Sequence, residues 1–299
     1  MKSLEITQLN VPRCKLGEGP VWDVDTQTLF YVDAAGGILN RLDPVSGQIS
    51  SWQYDGRVAS LGVIDDDTVI AAMWDGLYRI DLTTGARELL DYPDPNPVTS
   101  LNDGKVDPRG RFICGSVHLE VKEPLGKLYS IDVDGTVTTL DEGITVANGP
   151  CWSPDGTTMY HADSAIHTIY AYDYDLETGA ATNRRVFANT KALGGIPDGT
   201  TVDTQGYVWS AICESGTVVR FTPTGDVDRT IQLPTSMVSS VIFGGENLDR
   251  LYVTSIDPRT FNLPAEELGG ATFVIDGLGI QGLPEPRCRL TALTPQPHA

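Results

Sequence analysis

Five oxygen-bearing side chains in this 299-residue sequence stand in closely similar surroundings: Glu18, Asn102, Asp103, Asn148 and Asp198. Each has a glycine or proline within two positions, and each opens onto a short apolar run. Taken singly, Asn102–Gly104, Asn148–Pro150 and Pro197–Gly199 read as turns, because these residue types supply turn geometry. Taken together they share one register, although Glu18 and Asp198 lie 180 positions apart (198 less 18). Carboxylates and carboxamides gathered in one place repel one another unless something neutralises them. No Lys or Arg shares the register, so a divalent cation is the expected neutraliser. Oxygen-only ligation suits Ca²⁺, Mg²⁺ or Mn²⁺, and Zn²⁺ and Fe²⁺ stay open as alternatives.

Other chemistries find less support. Of the four histidines, His161, His167 and His298 miss the register, and only His118 stands where it could reach a substrate held there. There is no Gly-x-Ser-x-Gly elbow, phosphate-cradling loop or nucleotide fingerprint, which removes the serine-hydrolase and nucleotide-binding readings. Five scattered cysteines without a Cys-x-x-Cys spacing argue against a disulfide framework or thiolate zinc site, and read as small buried residues.

The elements that must position the oxygens are strands. An alternating apolar run closing on a Gly turn occurs six times, starting at Ile38, Leu77, Leu128, Ile169, Val218 and Thr272, with spacings of 39, 51, 41, 49 and 54 residues. That period matches a four-stranded propeller blade. A hairpin pattern precedes each copy, starting at Gly19, Ala59, Asp103, Gly149, Asp198 and Ser239, with turns such as DPRG, SPDG and DTQG. No window carries a helical period. The sequence therefore predicts an all-β fold: one domain over residues 1–299, a six-bladed β-propeller with a metal site at the mouth of the central channel. The segment around Leu4–Leu9 is expected to complete the last blade. Blades two and six offer only Ala59, Ser60 and Ser239 at the ligand register.

Forty acidic residues against 21 basic ones leave a net charge of −19, a field that repels phosphate backbones and anionic membrane surfaces. Neither nucleic acid nor membrane is an expected partner. No apolar stretch is long enough for a signal peptide or a membrane span, so a cytoplasmic location is expected.

Six segments carry a resemblance across essentially the whole chain: LGEGPVW (16–22), LNDGKVDPRGRF (101–112), NGPCWSPDG (148–156), YAYDYDLETGAATNRRVF (170–187), IPDGTTVDTQGYVW (196–209) and FGGENLDRLYVTS (243–255). They resemble the senescence marker protein (regucalcin), gluconolactonase and luciferin-regenerating-enzyme family. The resemblance implies a six-bladed propeller whose metal ligands are Glu18, Asn148 and Asp198, with Asn102 beside the metal contacting substrate. By the same matching, Asp103 and Glu120 fall on substrate-side positions. Animal members carry an arginine two residues before the matching Asn, where this chain has Ser100, so their substrate preference does not transfer.

The activity so implied is hydrolysis of a sugar aldonolactone, a pentono- or hexonolactone, with Ca²⁺ the leading cofactor. The ion would act as a Lewis acid on the carbonyl and Asp198 as general base. Asn102 would orient the lactone, while Asp103, Glu120 and His118 would bond its hydroxyls. Two rivals share the same ligands: a metal-dependent esterase or phosphotriesterase, and a calcium-binding propeller without enzymatic activity. Native metal, sugar and oligomeric state stay open at this level.

Overall fold

The computed structural model describes residues 3–290. Its strands form six four-stranded antiparallel sheets, each in simple up-and-down order. Blade 1 comprises Gly17–Asp23, Thr28–Asp33, Ile38–Leu42 and Ile49–Gln53. The inner strands of blades 2 to 6 are Val58–Asp65, Thr99–Val106, Ala147–Trp152, Ile196–Val202 and Val238–Gly244. In blade 6 the outermost strand is Glu5–Gln8 from the chain start, paired with Phe273–Asp276. The ring is thus closed by its two ends, as the sequence predicts, and closure of this kind leaves few exposed sheet edges.

Burial falls off from the channel outward. Gly17–Asp23 is buried along its whole length, whereas Ile49–Gln53 is mostly exposed. The core lies between neighbouring sheets: Val21, Phe30, Val32 and Leu39 of blade 1 meet Leu61, Val63, Val69 and Ala71 of blade 2 in one cluster. Aromatic rings lock other seams, with Trp22 stacked on Tyr252 at 5.5 Å and Trp209 edge-on to Phe243 at 5.6 Å. Each ring pair joins consecutive blades, so burial and ring geometry both favour the closed circle.

Near the channel the seams are polar. Ser239 Oγ donates to Gly17 O, Ser60 Oγ to Asn102 O and Thr200 Oγ1 to Gly149 O, at 2.5 to 2.8 Å. These bonds satisfy carbonyls that the strand ladder leaves free. All five cysteines are buried and unpaired. Among the described residues no helix is long and apolar enough to cross a membrane.

Candidate metal and substrate site

Each inner strand breaks register with its neighbour at the end nearest the mouth. The breaks fall between Glu18 and Val21, Leu101 and Gly104, Asn148 and Cys151, and Pro197 and Thr200 in blades 1, 3, 4 and 5. In blades 2 and 6 they skip only Ala59 and Ser239. Asn102–Asp103 and Asp198–Gly199 are therefore not turns. They are bulges inside strands, and a bulge re-aims a side chain that alternation would send elsewhere. Glu18 and Asn148 hold the last paired position before the bulge, and Asn102 and Asp198 the first unpaired one.

The residue after Glu18 and the residue after Asn148 must be glycine. Gly19 and Gly149 have φ of +49° and +58°, and a Cβ on Gly149 would lie 2.7 Å from Asp198 O. Entry to these two strands is fixed by aspartates that the sequence reading did not single out. Asp33 accepts from Lys15 N and Leu16 N, and Asp163 from Thr145 N and Val146 N, at 3.0 to 3.1 Å. Both close the second strand of their blade, a signal visible in YVD and HAD.

The structure brings Glu18, Asn102, Asp103, Asn148 and Asp198 together at the mouth, all buried. Asn102 Nδ2 donates to Asn148 Oδ1 at 2.7 Å and Ala147 O at 2.8 Å; Asn148 Nδ2 donates to Ser164 Oγ at 2.9 Å. These donated bonds fix which end of each amide is oxygen, with Asn148 Oδ1 facing Asn102. Glu18 Oε2 and Asp198 Oδ1 are buried without any hydrogen-bond partner. Burial raises the pKa of both carboxyls well above the usual range, and the charges of Asp198 and Asp103 add to this at Glu18, that of Asp103 at Asp198.

Other expected residues are placed differently. Asp103 is committed to the backbone: Oδ1 accepts from Gly104 N and Oδ2 from Gly149 N, both at 2.8 Å. It shapes the loop beside Asn148. His118 Nδ1 accepts from Lys122 N at 3.1 Å and Glu123 N at 3.4 Å, pinning the segment that follows. Glu120 lies exposed on that segment, paired with Lys122 at 2.8 Å. His298 lies outside the described residues.

The expectation that no basic residue neutralises the cluster is corrected. Arg57, immediately before the inner strand of blade 2, donates from Nη2 to Asn102 Oδ1, and its charge acts on Glu18, Asp198 and Asp103. Lys105 also acts on Asp103. Arg57 precedes the register by two positions, which is why alignment of strand starts did not find it.

Among the described residues no three His, Cys, Asp or Glu side chains converge as metal ligands. The available donors are two orphaned carboxylate oxygens and the carboxamide oxygen of Asn148. That set fits a hard, oxygen-seeking cation and excludes a thiolate or imidazole centre.

Loops around the mouth expose Trp74, Leu119, Val121, Ile166 and Phe261. At the opposite end of the channel, a hollow of about 250 Å³ is lined by Lys105, Cys151, Thr201 and Glu285. There Lys105 Nζ bonds Thr200 O at 2.9 Å and lies 3.5 Å from Glu285 Oε1, so charge is met by charge.

Comparison with known proteins supplies the lineage. Over 255 residues the chain is 36% identical to pentonolactonase XacC of Haloferax volcanii, covering 84% of this chain and 85% of the relative. It is 36% identical over 254 residues to a 6-deoxy-6-sulfogluconolactonase of Pseudomonas putida, covering 85% and 86%. The crystal structure of a calcium-binding protein, regucalcin from Agrobacterium tumefaciens, superposes with a TM-score of 0.87 at 29% identity, covering 95% and 97%. The model of the SMP-30/gluconolactonase/LRE-like region matches residues 16–257, and with bulged inner strands placing the same oxygen donors that the motifs single out, this chain belongs to that family.

Proposed function

We propose that this lactonase opens the ring of a sugar aldonolactone, a pentono- or hexonolactone, using one divalent metal ion, Ca²⁺ first, held by Glu18, Asn148 and Asp198. The observation that carries the reading is the pair of buried, unpartnered oxygens, Glu18 Oε2 and Asp198 Oδ1, in the mouth of the channel. Leaving such atoms unmet costs about 1–3 kcal/mol each or more, since they belong to charged groups, and a bound cation removes that cost. Relatives named for pentonolactone and sulfogluconolactone hydrolysis support the substrate class.

When bound, the ion supplies Lewis-acid polarisation of the lactone carbonyl and a lowered pKa for water in the site. Asp198 takes the proton from the attacking water and returns it to the alkoxide that leaves as the ring opens. Asn102, held rigid by its two donated bonds, orients the lactone. His118 and Glu120 reach hydroxyls from the neighbouring loop. Asp103 acts through the backbone it holds. The reading keeps the protein in the cytoplasm, with a small sugar lactone as partner and neither nucleic acid nor membrane.

The test is proton release from glucono-, galactono-, xylono- and arabinonolactone with defined metals, beside aryl esters and phosphotriesters. Metal-dependent turnover that favours at least one sugar lactone is expected. Preference for aryl esters or phosphotriesters would move the assignment to that activity. No turnover of any panel member would leave a calcium-binding propeller.

A further inference from the structure

Arg57 is left over once the metal ligands are assigned. Its Nη2 donates to Asn102 Oδ1, its Nε is buried without a partner, and among the described residues no carboxylate comes within ion-pair distance. A guanidinium has five N–H donors in a planar fork, and this one spends a single bond within the protein. A half-buried charge held this way is costly unless something else meets its donors. The field of Glu18, Asp198 and Asp103 keeps it at the mouth, and a divalent ion with one guanidinium balances those three carboxylates.

The surface beside it is aromatic. Trp74 is 52% exposed, its N donates to Arg57 O at 3.0 Å, and its indole lies against Gly56, where a Cβ would fall 1.9 Å from Nε1. Gly56 is thus bare so that the ring can rest on the backbone leading into Arg57. A sugar ring offers an apolar C–H face and an edge of hydroxyl oxygens. An amphipathic ring next to free donors matches both sides of that chemistry.

We propose that blade 2 reads the sugar: Arg57 donates hydrogen bonds to ring hydroxyls of the lactone while Trp74 covers its apolar face, making Arg57 the residue that sets preference for polyhydroxylated over unsubstituted lactones. The proposal rests on the lactonase reading and extends it to a part of the site that provides no metal ligand.

The experiment compares wild type, Arg57→Met and Trp74→Ala on xylonolactone, which carries hydroxyls, and γ-butyrolactone, which has none, at saturating Ca²⁺. Titration calorimetry of the product xylonate runs alongside. Arg57→Met should lose about 100-fold in kcat/KM on xylonolactone and less than about 3-fold on γ-butyrolactone, because the bonds that methionine removes are made only to substrates with hydroxyls to accept them. Trp74→Ala should lose about 10-fold, again on xylonolactone alone. Xylonate affinity should fall at least about 10-fold in Arg57→Met, with Ca²⁺ affinity not reduced. Equal losses on both lactones, or unchanged xylonate affinity, would overturn the role of Arg57. Wild type that turns over neither lactone would instead sink the lactonase reading, and xylonate binding would then decide the Arg57 assignment by itself.

Discussion

Asp198 and Asp203 stand at opposite ends of the inner strand of blade 5, both buried, and differ in everything that matters for their roles. Asp203 is saturated. Oδ1 accepts from Gln205 N and Tyr207 N, and Oδ2 from Trp209 Nε1 and Arg220 Nε, at 2.8 to 3.1 Å. Asp107 in blade 3 repeats the arrangement with Arg111 and Tyr174. Asp198 has an oxygen with no partner at all. One end of the channel uses buried carboxylates to tie turns and blades together, and the other leaves carboxylate oxygens without partners, which the proposed cation would meet. A buried carboxylate is thus read by its partners and not by its burial.

The largest contrast comes from breaking the two aspartates. Asp198→Ala should cut turnover by roughly 1000-fold or more, and Asp198→Asn should raise the melting temperature in chelator, because one of several mutually repelling carboxylates is gone. Asp203→Ala should do the reverse, leaving catalysis in the folded protein but costing about 1–3 kcal/mol or more, because Gln205 N, Tyr207 N and Trp209 Nε1 lose their acceptor while Arg220 keeps only Asp228 and Gln205. Steady-state kinetics and chemical denaturation of the three variants check this. A destabilised Asp198→Asn would erase the distinction.

His161 sharpens it. Both its ring nitrogens are buried and unpartnered, yet it lies in the second strand of blade 4, outside the mouth cluster. Desolvation lowers its pKa from 6.5 to about 4. The unfolded chain therefore binds the proton first, and stability present above pH 6.5 is lost as pH falls toward 4, by about 3 kcal/mol. His161→Leu should remove that slope in denaturation curves at pH 7 and 4.5 while kcat stays within about 2-fold, since an orphan remote from the mouth has no reacting partner.

Two smaller effects follow from the same contrast. Arg57→Met should tighten Ca²⁺ binding about tenfold by calorimetry, because a positive charge no longer opposes the ion. Weaker binding would mean that Arg57 holds the ligands in place. At the far end, Gly206 has φ of +81° and a Cβ there would meet only Pro154 and Pro223 at an ordinary contact distance of 3.7 to 3.9 Å, so Gly206→Ala should cost about 1 kcal/mol of backbone strain in denaturant and leave metal affinity alone.

The blade count, the all-β class, closure by the first strand and the grouping of Glu18, Asn102, Asp103, Asn148 and Asp198 were legible in the sequence. They rest on local signals: period-two alternation, Gly and Asp turns, and a repeat close to the length of one blade. What each polar atom meets was not legible. Arg57 reaches Asn102 across 45 positions, Gly149 N finds Asp103 across 46, and Arg287 from the C-terminal segment clamps Asp23 across 264. Such partners come from neighbouring blades or from the C-terminal segment and carry no periodic mark. The sequence by itself determined which oxygens gather at the mouth, because strand register is a local property. Only the tertiary structure decided which of them are satisfied, which are left without a partner, and which basic residue of the chain stands among them, because hydrogen-bond saturation depends on groups that folding alone brings within about 3 Å.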